Sequence, residues 1–314
     1  MTKSSEGRIF VMEPGAGRRK GATGRGVMAG GWRKNCHMKR SLLFPLLAFL
    51  WGCVVGQPMT RLAQQPAAAL KRMEWPHHKQ ATIVLTYDDA LLSQLDIAIP
   101  QLERAGLKAT FFLTGDLDYR TLPRWRDAAK KGFELGNHTL YHPCLPTADN
   151  PVSSAIYTPY QMIREIEVMN WLLYAIDGQK ARTYAYPCTD TTAGGRSYVD
   201  TLKRYRSVKY ARLGGDEQTA VITDFGHLDS LRVPSLGLED SSSAETILHF
   251  VKTVQQCGGL GIIMFHGIGG DYITTPAAVH QQVLDYLVEQ KDVLWVPTFQ
   301  EAMDYVMERQ KNTR

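Results

Sequence analysis

The sequence predicts an α/β fold of parallel strands and helices in one domain, and three observations carry that expectation. From about residue 81, short apolar runs alternate with longer amphipathic stretches, the pattern of strands joined by right-handed helical crossovers. No Pro/Gly-rich break divides this region. It is roughly 230–240 residues long, a size at which α/β barrels commonly remain single.

Ala81–Tyr87 reads as a buried strand and Leu91–Ala105 as a helix ended by Gly106. Pro100 falls inside that helix and is expected to kink it. Lys108–Thr114 is the next strand, Leu122–Lys131 a helix stopped by Gly132, and Phe133–Gly136 a strand entering a loop. Tyr160–Ile176 (helix), Thr183–Tyr186 (strand), Arg196–Tyr205 (helix) and Val208–Leu213 (strand) follow. Leu231–Pro234 is a short strand, and Ser243–Gln256 a helix with Ser243 as its cap. The remaining elements are strand Leu260–Phe265, helix Thr275–Lys291, strand Val293–Val296 and helix Phe299–Arg309.

Composition supports a full core and narrows the partners. With 314 residues, 44% hydrophobic and 21% charged, the chain is neither a disordered tail nor a disulfide-stapled miniprotein. The formal charge of +5 is unevenly placed. Residues 1–40 carry ten Lys or Arg against Glu6 and Glu13, which leaves 26 positives against 29 negatives in the rest. A mildly acidic globular part offers no footprint for a phosphate backbone, so no nucleic-acid partner is expected.

Residues 1–56 read as a basic extension followed by a signal peptide. Lys39 and Arg40 precede the apolar run 41–50, and small residues continue to Gly56, the order of a secretory signal. Residues 1–37 read as an extension from a misplaced start codon, with a basic disordered arm as the alternative. Leu50-Trp-Gly-Cys53 also resembles a lipoprotein box, so a membrane tether is expected only if Cys53 is lipidated. Export makes disulfides possible. Cys144, Cys188 and Cys257 remain beyond the leader, an odd number. Residues 57–78 are assigned to a linker and 79–310 to the folded domain.

In such a fold, polar residues at the C-terminal strand ends converge on one rim. The first strand ends in Asp88-Asp89. An Asp-capped turn is the plainer reading of an isolated pair. The third strand leads into Asn137-His-Thr-Leu-Tyr-His142, two imidazoles spaced to share one metal. The strand Leu260–Phe265 runs straight into His266. Three strands ending on one rim in Asp-Asp, His-x-x-x-His and His make a site rather than three separate accidents.

These segments, with Gly106-Leu-Lys-Ala-Thr-Phe-Phe112, Tyr186-Pro187 and Ile263-Met-Phe-His266, resemble the polysaccharide deacetylase family, carbohydrate esterase family 4. The resemblance covers roughly residues 75–310 and implies a distorted (β/α) barrel of about seven strands that hydrolyses acetyl groups on sugars with a divalent metal, most often zinc. Carried over by position, Asp88 is the general base, Asp89, His138 and His142 are metal ligands, and His266 is the general acid. One carboxylate and two imidazoles leave a metal open positions for water and the acetyl oxygen. A base and an acid needed in opposite protonation states imply a bell-shaped pH profile. An acetylated glycan is the implied partner.

Two positions depart from the family pattern. Ala185 stands where an Arg usually pairs with the base, so another group has to tune Asp88. Arg212 and Arg232 are the candidates, with Arg212 preferred. Cys188 follows Pro187 where an aromatic residue is usual, although the backbone N–H for an oxyanion survives any side chain. Cys144 and Cys188 follow rim motifs on strands expected to be neighbours, which allows a disulfide or a free thiol beside the metal. His77, His78, His227, His249 and His280 read as solvated, and Trp75, Trp125, Trp171 and Trp295 as core residues that include sugar platforms. The rivals are a catalytically silent carbohydrate-binding barrel, suggested by Ala185, and an amide hydrolase for a small non-sugar substrate.

Overall fold

The computed structural model describes residues 73–144 and 153–313. The expected leader, Cys53 and most of the linker lie outside the described residues. Seven strands form the barrel: β1 Ala81–Asp88, β2 Thr110–Leu113, β3 Glu134–Asn137, β4 Thr183–Ala185, β5 Tyr210–Gly215, β6 Val233–Gly237 and β7 Leu260–Phe265. Each pairs in parallel with the next, and β7 pairs along Thr82–Tyr87 of β1 to close the ring. The β3–β4 seam is the thinnest, with Asn137 opposite Tyr184. Leu294–Trp295 adds in parallel beside the start of β1, and Val221–Ile222 lies antiparallel to β7.

Alternation along the strands sorts the side chains. Ile83, Leu85 and Tyr87 of β1 join Phe111, Trp125, Phe250 and Leu284 in the layer between barrel and helices. Val84, Phe112, Ala185 and Ile262 share a second cluster with Phe299, Ala302, Met303 and Val306. Period-two geometry then puts Asp88 on the face of Val84, Arg212 on that of Tyr210, and His266 on that of Ile262. These three polar side chains, from β1, β5 and just past β7, therefore face inward together, because their neighbours along the chain are committed to one side or the other by burial.

The helices are α1 Ile99–Ala105, α2 Leu122–Lys130, α3 Pro159–Asp177, α4 Val199–Tyr205, α5 Ala244–Cys257, α6 Ala277–Glu289 and α7 Phe299–Thr313. A Thr158–Gln161 capping box starts α3, and the Ser243 side chain caps α5. The expected helix over 91–105 forms over 92–105, with a π-helical stretch at Gln94–Ala98 leading into α1. Pro100 has no N–H to give and its ring would strike the carbonyl four residues back, so the wider turn absorbs it. The expected helix over 196–205 starts late. Gly194 and Gly195, both at positive φ, turn a hairpin of Thr192–Ala193 with Arg196–Ser197 before α4 begins.

His280 does not sit in solvent, as its position on α6 suggests, but is fully buried. Its Nε2 accepts from the Tyr87 hydroxyl at 2.6 Å, and its Nδ1–H donates to the Gln101 side-chain oxygen. Burial pushes its pKa down from 6.5 to about 3. The unfolded chain therefore binds the extra proton between those two values, and stability falls as pH drops through that window. The expected loss is of order a few kcal/mol once the pH nears 3. Urea midpoints measured from pH 7 to pH 4 should show a shallower slope for His280→Gln than for the unaltered protein.

Candidate active site

At the C-terminal ends of the strands, Asp88, Asp89, His138, His142, Tyr186, Cys188, Met264, His266 and Tyr272 are among the residues lining one cavity of about 860 Å³. Asp89 turns out of β1 with φ of 76°, held by its N–H on the Phe112 carbonyl at 3.1 Å. The β3 exit is built by Asn137. Its amide nitrogen donates to the Ile166 carbonyl and the Asn170 side chain, and its oxygen receives the Thr139 N–H at 2.8 Å. The Thr139 hydroxyl in turn accepts from the His142 N–H at 2.9 Å. This folded-back turn, with positive φ at Thr139 and His142, brings two rings four residues apart to the same point. Such backbone costs about 1–3 kcal/mol per residue and persists where its surroundings fix it.

Three ligand-type atoms form a triangle. His138 Nε2 lies 3.1 Å from His142 Nε2 and 3.3 Å from Asp89 Oδ1, and His142 Nε2 lies 3.4 Å from the same oxygen. His138 Nδ1 donates to the Ala185 carbonyl at 2.8 Å, a group that only accepts. In the neutral ring its Nε2 is then a lone pair aimed into the triangle. Ligand atoms bound to a tetrahedral zinc at ~2.0–2.2 Å stand about 3.3–3.6 Å apart, so the donor set fits a divalent cation.

The charges point the same way. Burial opposes ionisation of Asp89, but the His138 hydrogen bond and the charges of His138, His142 and His266 hold its carboxyl well below the usual range. Burial lowers His138, and the carboxylates of Asp88 and Asp89 outweigh it to raise the pKa. Burial, then the charge of His138, pushes His142 down to about 4. Two carboxylates therefore face the two rings at the triangle, an arrangement that a bound cation would complement.

Asp88 stands beside this triangle. Its Oδ2 receives Arg212 Nη2 at 2.5 Å and lies 3.7 Å from His138 Nε2. Its Oδ1 is buried with no hydrogen-bond partner among the described residues. Arg212 is 1% exposed, lies over the Phe112 ring, and donates from Nη1 to the Ser235 hydroxyl at 3.0 Å. Arg212 lies in mid-strand rather than at a strand end, since β5 continues to Gly215. Arg232, the other candidate, is exposed and bonded to Asp229. Across the cavity, His266 Nε2 is 3.8 Å from Asp89 Oδ2.

Tyr186 is buried with its hydroxyl on the Leu231 carbonyl, and Pro187 opens a tight turn in which Cys188 has φ of 49°. Cys144 and Cys188 are joined as a disulfide, and Cys144 Sγ lies 3.6 Å from His142 Nδ1. The bridge ties the turn carrying His142 to the turn after β4. Replacing both cysteines by serine should cost about 2–4 kcal/mol in a denaturant titration. It should also weaken metal retention in a chelator competition, because His142 loses its support.

The four tryptophans expected to include sugar platforms lie away from the cavity. Trp125 is core, Trp75 packs against Trp295, Phe225 and Tyr305, and Trp171 is exposed on α3. None lines the cavity, whose aromatic walls are Tyr186 and Tyr272. Sequence reasoning passed over Tyr272. The glycines at 267, 269 and 270, just after His266, were the available sign that a shaped loop crosses the rim.

Comparison with known proteins adds the following. Residues 76–207 match the family model described as polysaccharide deacetylase. No curated protein gives a significant match. Among solved structures, the chain is similar to a candidate polysaccharide deacetylase of Mycobacterium smegmatis, with 15% identity, 76% of this chain and 94% of that chain covered, and a TM-score of 0.57. It is similar to the Bacillus subtilis peptidoglycan deacetylase PdaC at 19% identity, covering 74% of this chain and 95% of that one with a TM-score of 0.49. A carbohydrate esterase family 4 pseudoenzyme from Bacillus anthracis matches at 18% identity over 71% of this chain and 65% of that one, with a TM-score of 0.43. The Mycobacterium likeness supports the barrel as the shared fold.

Proposed function

We propose, from the premise that residues 76–207 belong to the polysaccharide deacetylase family, that this protein is an exported hydrolase that removes acetyl groups from an N-acetylated or O-acetylated glycan. The observation that carries this reading is one cavity holding both the Asp89–His138–His142 triangle and the unpartnered Asp88 Oδ1. A divalent ion, by choice zinc, would be held by those three residues. When bound it supplies Lewis acidity to the acetyl carbonyl and lowers the pKa of water toward about 7.

The chain's own groups do the rest. Asp88 Oδ1 accepts the proton of the attacking water, while Arg212 occupies Oδ2 and keeps the carboxylate aimed. The Cys188 backbone N–H, on the turn after Pro187, supports the oxyanion. His266, across the cavity from Asp88, gives a proton to the departing nitrogen or oxygen as acetate separates. The Asp88–Arg212 pair answers the vacancy at Ala185 and so favours an active enzyme over a silent barrel. The cavity is open at the rim, and Asp88 beside Asp89 does not suggest glycosidic cleavage, which needs carboxylates about 5–9.5 Å apart across a sugar. The Cys144–Cys188 disulfide supports an oxidising compartment.

The test is acetate release by zinc-loaded protein from N-acetylglucosamine oligomers, peptidoglycan and acetylated xylan. Release from at least one is the expected result. No release from any of them, with metal retained, would remove the hydrolase reading.

A further inference from the structure

We propose that Tyr272 is a positioning residue whose hydroxyl occupies Asp89 Oδ2, leaving only Oδ1 to face the metal and keeping His266 free to act as acid. This rests on the metal-dependent reading above. The Tyr272 hydroxyl donates to Asp89 Oδ2 at 2.8 Å, while Oδ1 belongs to the triangle with His138 and His142. The two oxygens of one carboxylate thus have separate partners.

Without a donor, Oδ2 has two other ways to be satisfied. It can turn toward the cation and make Asp89 a two-oxygen ligand, which takes a position needed by water or substrate. It can instead accept a hydrogen bond from the His266 ring, whose Nε2 is 3.8 Å away, and pin that ring in place. Tyr272 blocks both with one neutral hydrogen bond.

The loop that presents Tyr272 is built to hold it. Gly267 N–H donates to the Tyr272 carbonyl at 3.2 Å, and Thr275 N–H returns to the Gly267 carbonyl at 2.9 Å. Asp271 accepts from the Ser93 N–H, and Asp240 accepts from the Thr274 N–H. Ile273, a β-branched residue, is held at φ of 45°, a conformation such a side chain adopts only under constraint. A Cβ at Gly267 would lie 2.1 Å from the Gly270 carbonyl oxygen, so the loop closes only around glycine there. The ring itself is 53% exposed, and losing its hydroxyl removes no core contact.

The experiment compares Tyr272→Phe with the unaltered protein, each loaded with cobalt(II), whose visible absorbance weakens as coordination number rises. The variant is expected to show a severalfold weaker band and cobalt affinity altered by about tenfold or more, the scale of lost outer-shell support. With acetylated substrate its kcat should fall about tenfold while KM holds, since phenylalanine keeps the ring. Identical cobalt spectra and affinities in the two proteins would overturn the role of Tyr272 alone. Unaltered, folded protein that retains no cobalt would overturn the metal reading and this inference together.

Discussion

Arg212→Leu is expected to destabilise the fold by about 3–5 kcal/mol, because it strands the Asp88 carboxylate in the barrel without its counter-charge. Both side chains are nearly inaccessible and meet at 2.5 Å. From β5, Arg212 also donates to Ser235 of β6 and Met264 of β7, so with Asp88 its loss deprives acceptors on three strands of their donor at once. The double variant Asp88→Leu with Arg212→Leu should recover much of the loss, since a buried pair is often replaceable by apolar residues of similar volume. Guanidinium titrations of the four members of this cycle measure the coupling. A single Arg212→Leu variant as stable as the unaltered protein would mean the pair is not buried as described.

The second large effect falls on turnover. Asp88→Asn should lower kcat by about 10²–10⁴, the range for loss of a positioned base, while zinc stoichiometry stays at that of the unaltered protein. The reason for the split is geometric. Asp88 Oδ2 is engaged by Arg212 and lies outside the three-atom triangle, so removing its charge spares the donor set. Isothermal titration with zinc, run beside the acetate assay, separates the two readouts. Loss of metal together with loss of turnover would place Asp88 among the ligands and change its role.

Much of this site is written into strand ends. The largely apolar, buried runs of β1 and β7 fix which faces are buried, so the first charged or titratable residue at the end of each emerges at the rim. The His-x-x-x-His spacing placed two rings near each other, but not the turn that lets them meet. That turn depends on Asn137 bonding to the Ile166 carbonyl, 29 positions on, and on the Thr139 hydroxyl accepting from the His142 N–H within the turn itself. The pattern narrows the partner of Asp88 to two arginines and prefers Arg212, and the structure agrees, since Arg212 faces inward onto Asp88 while Arg232 faces solvent.

Other features were hidden for nameable reasons. Tyr272 lies six residues past His266, in a loop with no periodicity, and its role exists only through a bond to a strand 183 positions away. His280 reads as solvated because α6 carries polar residues beside it, and its burial follows from Tyr87 and Gln101 on other elements. The π-turn before α1 needs knowledge of how the chain absorbs Pro100. Each is a tertiary decision that local pattern does not encode.

The most direct test is a crystal of zinc-incubated protein measured at the zinc absorption edge, with His138→Ala as its companion. An anomalous peak bonded to Asp89 Oδ1, His138 Nε2 and His142 Nε2 is expected in the unaltered protein and should vanish in the variant. Folded, zinc-treated protein with no peak among those atoms, or with an undiminished one after His138→Ala, would contradict the account.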